Sequence, residues 1–201
     1  MPLTRIALIV SAVFLLSLFA FTFMQGARDT PPEVHRGEAL IGGPFTLVDD
    51  EGTTVTPATY GDKLLLVYFG FTYCPDICPT ELTALSTMLD GLSVAERAQI
   101  QPLFVTVDPA RDTPAALSTY LENFHPDFVG LTGSPAQVSA ALASWRIYWA
   151  KVDDPSSTAG FTYDHSALTY LMDADNQYLA HFSYGTTPEK MQNKIRSFLS
   201  K

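Results

Sequence analysis

Thiols, imidazoles and positive charges are all scarce in this sequence. It has two cysteines, four histidines and 12 lysines and arginines, against 21 aspartates and glutamates, and its net charge is −9. A structural zinc ion normally has four protein ligands in a closed tetrahedron, and no second pair of cysteines or histidines is present to complete one. An acidic surface also repels phosphate backbones and anionic lipid. The composition therefore disfavours a structural zinc domain and predicts no nucleic-acid partner.

Charged residues are also absent from residues 6–24, an apolar run long enough to cross a hydrocarbon core of roughly 30 Å. The alternative is a cleavable signal peptide, whose apolar region is usually about 7–15 residues long and ends in small residues. The run here is longer, and Met24-Gln25-Gly26 is a poor cleavage site. We interpret residues 6–24 as a transmembrane anchor and residues 1–5 as a cytoplasmic tail. No Arg-rich presequence precedes the run, so we predict a single-pass protein of a bacterial inner membrane that faces the periplasm.

Beyond the anchor, the sequence predicts a tether and one domain. Residues 25–40 are polar, contain Pro31-Pro32 and show no hydrophobic period, which is typical of a tether. Residues 41–201 contain apolar runs that predict strands at 44–48, 53–55, 64–69, 102–107, 147–152, 168–172 and 178–182. Helices are predicted after the cysteines and after the caps Thr113-Pro114, Ser134-Pro135 and Thr187-Pro188. The polar segment 153–162 is predicted to be a loop that is mobile without metal and that copper orders, since it leads into His165.

This order predicts a mixed α/β fold. A hairpin comes first, followed by two strand–helix units, a helix, a second hairpin and a final helix. Strand–helix units pair in parallel, and a hairpin adds an antiparallel pair to the same sheet. We therefore predict a thioredoxin-like mixed sheet with flanking helices and an N-terminal hairpin. No repeats or low-complexity segments interrupt the pattern.

Both cysteines lie in the stretch 69–82, FGFTYCPDICPTEL, where a predicted central strand turns into a helix. A helix N-terminus offers free N–H groups and a positive dipole end, which favour thiolate over thiol. Cys74 and Cys78 are four residues apart. On a helix such residues share one face, with their Cβ atoms about 5–6 Å apart. That spacing suits a soft metal ion held between two thiolates. It also permits a disulfide, because helix ends are pliable.

One histidine is well placed to join the two cysteines. We interpret His35 and His125 as solvated, and His181, within a strand, as a surface or packing residue. His165 directly precedes the strand at 168–172, where thioredoxin-like chains approach the dithiol and usually carry a cis-proline. This sequence instead has Asp164-His165 there.

Two thiolates and one imidazole form a soft donor set, which suits Cu(I) or zinc. Since a closed structural zinc site lacks its fourth ligand, we predict an open copper site formed by Cys74, Cys78 and His165. Such a site, on a tether that faces the periplasm, suits a protein that hands copper over. Asp164 is a candidate to orient His165 from behind, as carboxylates often do for metal-bound imidazoles.

Three linked motifs carry a resemblance to a known family. The segments YFGFTYCPDICPTEL, FVTVDPARDTP and YDHSALTYLMD occur in that order and at separations similar to those of the Sco/SenC family, over about residues 41–198. The resemblance implies a thioredoxin-like fold, Cu(I) or Cu(II) bound by Cys74, Cys78 and His165, and a role in cytochrome c oxidase assembly. Many members have His where this chain has Tyr73 and Glu where it has Thr80, which bears on partner choice rather than on metal binding.

The resemblance also covers Asp108, Arg111 and Asp112, for which two interpretations stay open. They form a strand-end turn and a helix cap, or they dock a partner. The function that we predict is that of an anchored copper chaperone, whose partners are the copper-bearing oxidase subunit and other copper chaperones or thiol reductants. The alternative is a thiol–disulfide reductase with redox-active Cys74 and Cys78. A peroxiredoxin-like peroxidase is disfavoured, because neither cysteine is set among the Thr and Arg partners that such enzymes use.

Overall fold

The computed structural model describes residues 16–17, 41–155, 157 and 159–199. The predicted tail and tether, and all of the predicted anchor except Leu16 and Ser17, lie outside these residues. Within the described ranges, no helix has both the length and the apolar character needed to cross a membrane. The chain divides into two units, Met1–Glu38 and Ala39–Lys201. The fold that follows is that of the second unit.

The described part of this unit contains nine strands, five α-helices and a short 3-10 helix at Pro57–Tyr60. The strands are β1 Leu47–Asp49, β2 Thr54–Val55, β3 Leu64–Gly70, β4 Ile100–Thr106, β5 Val129–Thr132, β6 Trp149–Asp153, β7 Phe161–His165, β8 Leu168–Met172 and β9 Tyr178–Ser183. The helices are α1 Ile77–Asp90, α2 Val94–Arg97, α3 Pro114–Leu121, α4 Pro135–Ser144 and α5 Pro188–Leu199.

Seven of the strands form one mixed sheet in the order β2-β1-β5-β4-β3-β8-β9. Strands β3, β4 and β5 are parallel, whereas β8 runs antiparallel to β3 and β1 runs antiparallel to β5. Every residue of β3 after Leu64 is buried, as expected for a central strand covered on both faces. The prediction of a mixed sheet with an N-terminal hairpin and flanking helices is confirmed.

Strand β5 was not predicted from the sequence. It has only four residues, and one of them is Gly130, which weakens a strand pattern. The fold requires this glycine, because a Cβ there would lie 2.9 Å from the Cβ of Leu117 in α3. Because α3 packs so closely against β5, the strand needs a glycine at a position where a β-branched or aromatic residue would have indicated a strand.

Strands β6 and β7 form a separate two-stranded hairpin, and here the predictions were partly wrong. The predicted strand at 147–152 is β6, but it pairs outside the main sheet. The predicted loop at 153–162 contributes its first residue to β6 and its last two to β7. Register runs from Trp149 opposite His165 to Asp153 opposite Phe161. The hairpin thus ends at the candidate metal ligand.

The helix starts predicted at Thr113-Pro114 and Ser134-Pro135 are confirmed by their side-chain caps. The Thr113 side chain accepts a hydrogen bond from the Ala116 N–H, and Ser134 and Gln137 form a reciprocal capping box. Such caps satisfy N–H groups that have no partner within the helix. Helix α1 buries Leu82, Leu85 and Leu89 along the face that the sequence predicts.

Candidate metal centre

The two cysteines lie on either side of the start of α1. The chain leaves β3 at Gly70, turns at Phe71, whose carbonyl accepts the Cys74 N–H at 3.2 Å, and enters the helix at Ile77. Cys74 therefore precedes the helix, and Cys78 is its second residue. The expectation that both occupy one helix face is corrected, since only Cys78 is helical. Local sequence nevertheless places both sulfurs at the carboxyl end of a central strand, as predicted.

The Cys74 sulfur acts as a cap for this helix. The Cys78 N–H, one of the free donors of the first turn, points to Cys74 Sγ at 3.3 Å. Neither cysteine forms a disulfide; Cys78 is fully buried, and Cys74 is partly exposed. Cys74 is thus the sulfur that a partner molecule can reach first.

The electrostatics of the two sulfurs differ accordingly. A hydrogen bond from Cys78, aided by the backbone N–H groups of Cys78 and Asp76 and opposed by burial, lowers the pKa of Cys74 from 9.0 to about 4. The hydrogen bond to Cys74 and burial raise the pKa of Cys78. The pair therefore holds one proton at neutral pH, on Cys78, and Cys74 is a thiolate.

His165 meets this pair from the end of β7. Its Nε2 lies 3.6 Å from Cys78 Sγ, and its Nδ1 lies 3.2 Å from the carbonyl oxygen of Ser166. A carbonyl only accepts hydrogen bonds, so Nδ1 carries the proton and Nε2 presents its lone pair towards the sulfur. This is the tautomer that a metal ligand needs.

The carbonyl of Ser166, and not Asp164, contacts the far side of the His165 ring. Asp164 is exposed, and neighbouring residues on a strand point to opposite faces. The sequence did not predict the role of Ser166, because any residue supplies a backbone carbonyl. Among the described residues, no group of three or more His, Cys, Asp or Glu side chains already stands in an arrangement that could hold a metal ion.

A buried polar cluster, which the sequence only partly indicated, supports the cysteine loop. Asp112 is fully buried and accepts hydrogen bonds from the N–H and hydroxyl of Thr72 and from the hydroxyl of Thr106. Asp108 is also buried and pairs with Arg111. These side chains face inward, which does not fit the docking interpretation. The motif DPARD was the available signal, but its partner Thr72 lies 40 residues away in the chain.

The remaining histidines lie elsewhere. His125 is 8% exposed, and its Nδ1 accepts the Asp127 N–H, so the interpretation of this residue as solvated was wrong. His181 is exposed on β9, where its ring contacts the hydroxyl of Tyr178. His35 lies outside the described residues. Of the histidines whose placement is described, only His165 contacts a cysteine.

Comparison with known proteins shows the family of this chain. The family model for SCO1/SenC matches residues 33–200. The chain belongs to the SCO1/SenC family. SenC of Rhodobacter capsulatus is 41% identical over 162 residues, which make up 80% of this chain and 72% of SenC.

Solved structures of the family share the fold. Arabidopsis thaliana ScoI with copper bound is 34% identical with a TM-score of 0.74, and the match covers 80% of this chain and 99% of ScoI. BsSco, a Sco-family cytochrome c oxidase assembly protein with a disulfide switch, is 25% identical with a TM-score of 0.59. That match covers 77% of this chain and 90% of BsSco.

Proposed function

We propose that this SCO1/SenC protein is a chaperone that carries copper as its cargo and delivers it during the assembly of cytochrome c oxidase. The observation that carries the proposal is the contact of His165 Nε2 with Cys78 Sγ at 3.6 Å, close to Cys74 where β3 turns into α1. Copper bound to the related ScoI of Arabidopsis thaliana supports the choice of metal. The description of BsSco as an oxidase assembly protein supports the choice of pathway.

The donor atoms suit copper in both oxidation states. Thiolates are soft ligands that favour Cu(I), and imidazole is a good ligand for copper generally. The hydrogen bond between Nδ1 and the Ser166 carbonyl leaves Nε2 available as a donor. Three side-chain donors would leave room for a ligand of a partner protein to approach the ion, which suits transfer better than storage.

Apolar side chains next to the donors offer a surface for the receiving protein. Tyr73, Ile77 and Trp149 are 57%, 41% and 40% exposed, and each is adjacent to one donor in sequence or in strand register. Exposed aromatic side chains of this kind are enriched at protein interfaces. We propose the copper-bearing subunit of cytochrome c oxidase as the acceptor, and other copper chaperones or thiol reductants as suppliers.

The same proposal includes a place in the cell. We propose that residues 6–24 anchor the chain in a bacterial inner membrane, with residues 1–5 in the cytoplasm. Residues 25–40 would then tether a copper-binding domain, residues 41–201, in the periplasm. The uncharged length of 6–24 supports this arrangement.

A second candidate function is thiol–disulfide reduction, which the asymmetry of the two sulfurs favours. The accessible Cys74 thiolate would attack one sulfur of a partner disulfide and form a mixed disulfide while the other partner sulfur leaves as a thiolate. Cys78, on losing its proton, would then attack Cys74 and release the second partner thiol. The products are a reduced partner dithiol and a Cys74–Cys78 disulfide, so two electrons pass to the partner.

Replacement of His165 by alanine separates the two functions. The reduced wild-type domain, residues 27–201, should bind about one copper ion, and its disulfide form almost none, because thiolates are the ligands. Groups that merely support a ligand contribute about 10–100-fold to metal affinity, so His165→Ala should lower copper affinity at least that much. The Cys74–Cys78 couple should remain reversible, since thiol exchange requires no imidazole.

The matched control is His181→Ala, which removes an exposed histidine from β9 and should leave copper affinity unchanged. Cells that carry His165→Ala should fail to assemble active oxidase at limiting copper. Normal assembly in those cells would exclude copper delivery and favour the reductase. Equal copper retention by the reduced and oxidised domains would exclude the dithiol as the site.

A further inference from the structure

Arg111 lies between the two segments that carry the candidate ligands. Its guanidinium carbon is 4.6 Å from the ring centre of Tyr73 and 4.4 Å from that of Phe161. Both distances are within the range of about 6 Å for cation–π attraction. Its Nε donates to the carboxylate of Asp108, just beyond the end of β4. The side chain is only 16% exposed, which strengthens these contacts because little water competes for the charge.

Each of the two rings belongs to a different donor segment. Tyr73 directly precedes Cys74 in the loop that leaves β3. Phe161 is the first residue of β7, the strand that ends at His165. One buried cation therefore contacts the cysteine loop and the histidine hairpin, while Asp108 fixes that cation to the central sheet.

The hairpin depends on contacts of this kind for its position. Strands β6 and β7 pair with each other but not with the seven-stranded sheet. Side-chain contacts with its surroundings include those of Phe71 with Tyr163 and His165, and a hydrogen bond from Tyr163 to Asp108. Neither terminal nitrogen of Arg111, Nη1 or Nη2, has a hydrogen-bond partner among the described residues. Apart from its bond to Asp108, the guanidinium therefore engages its surroundings through aromatic faces.

We propose that Arg111 is a positioning residue that holds the β6–β7 hairpin against the cysteine loop and thereby sets how well His165 reaches the metal. The inference rests on the proposed copper binding. A planar guanidinium stacks on rings in a way that a lysine ammonium on a flexible stem does not. Arg111→Lys should therefore behave like Arg111→Met, although it keeps the charge.

A double-mutant cycle tests the proposal through copper affinity, measured by competition of the reduced domain with a chromophoric Cu(I) chelator. Arg111→Met should weaken binding by about tenfold, within the range for groups that support a ligand. In a His165→Ala background it should change binding by less than about threefold, because the residue that it positions is gone. Phe161→Leu, which removes the ring instead of the cation, should show the same dependence on His165.

Lys151→Met is the matched control. The Lys151 ammonium lies 3.6 Å from the centre of the same Phe161 ring, but Lys151 belongs to β6 and so joins no second segment to the hairpin. Its removal should leave copper affinity within about twofold of wild type, since exposed cation–π pairs are weak.

Amide exchange of metal-free protein supplies a readout that needs no copper. Exchange in β6 and β7 should be faster in Arg111→Met than in wild type, with β3 and β4 unchanged. Equal copper losses in both backgrounds, or unchanged hairpin exchange, would overturn the positioning role. A wild-type domain that binds no copper would refute the proposed function instead, and the exchange measurement would still decide whether Arg111 holds the hairpin.

Discussion

Replacement of Asp112 by alanine should destabilise the domain and loosen the cysteine loop together. Asp112 is fully buried, and its two oxygens accept the Thr72 hydroxyl at 2.6 Å, the Thr72 N–H at 3.1 Å and the Thr106 hydroxyl at 2.6 Å. Burial raises the pKa of Asp112, while these hydrogen bonds oppose the rise. The desolvation of the carboxyl group thus offsets part of what the hydrogen bonds contribute.

The magnitude follows from the contacts that would be lost. A hydrogen bond to a charged group contributes about 1.5–3 kcal/mol, and a buried donor left without a partner costs about 1–3 kcal/mol. With the offset from desolvation, we expect a loss of about 3–4 kcal/mol in the free energy of unfolding for Asp112→Ala. For a domain of this size, each kcal/mol shifts the melting temperature by roughly 2–4 °C, which gives a decrease of about 6–16 °C. Asp112→Asn keeps one acceptor oxygen and should lose only about 1–2 kcal/mol.

Urea unfolding of the reduced domain at pH 7 measures these changes, with Asp62→Ala as the control. Asp62 is exposed, so its replacement should stay within about 0.5 kcal/mol of wild type. Copper affinity should fall in Asp112→Ala, because Thr72 is two residues from Cys74. If Asp112→Ala unfolds within about 1 kcal/mol of wild type, the cluster does not support the loop, and the reasoning is refuted.

Two further predictions concern the sulfurs. Iodoacetamide should label Cys74 of the metal-free protein and spare Cys78, because the pKa of Cys74 is lowered to about 4 and that of Cys78 is raised. The labelling rate of Cys74 should be nearly independent of pH between about 6 and 8. Mass spectrometry of the peptides measures this rate, and a rate that rises tenfold per pH unit would contradict the thiolate. Gly70→Ala should destabilise the domain by about 1–3 kcal/mol and weaken copper binding. The reason is that the new Cβ would lie 2.8 Å from the Phe104 ring and 2.9 Å from Cys78 Sγ. Wild-type stability and copper affinity in that variant would contradict this prediction and show that the end of β3 can shift to make room.

Much of the site could be predicted because its parts are local in sequence. The turn from β3 into α1 is encoded by an apolar run, two Cys-Pro steps and a hydrophobic helix face within a short segment. Ser134 and Gln137 form the predicted capping box three residues apart. His165 was identified by its position directly before β8. These signals act between neighbours in the chain, so they survive without knowledge of the tertiary structure.

The tertiary structure decided which distant groups meet and which face each one presents. Cys78 and His165 are 87 residues apart in the chain, and their contact depends on β8 pairing with β3 and on a hairpin that the pattern at 153–162 concealed. The partner of His165 is a backbone carbonyl, which every residue carries, so no side-chain pattern could single out Ser166 over Asp164. The sequence indicates only a turn at Arg111. Folding brings the rings of Tyr73 and Phe161, from two different segments, against its guanidinium. Short-range sequence patterns therefore identified the three candidate ligands. Packing between distant segments determined which contacts bring those ligands together.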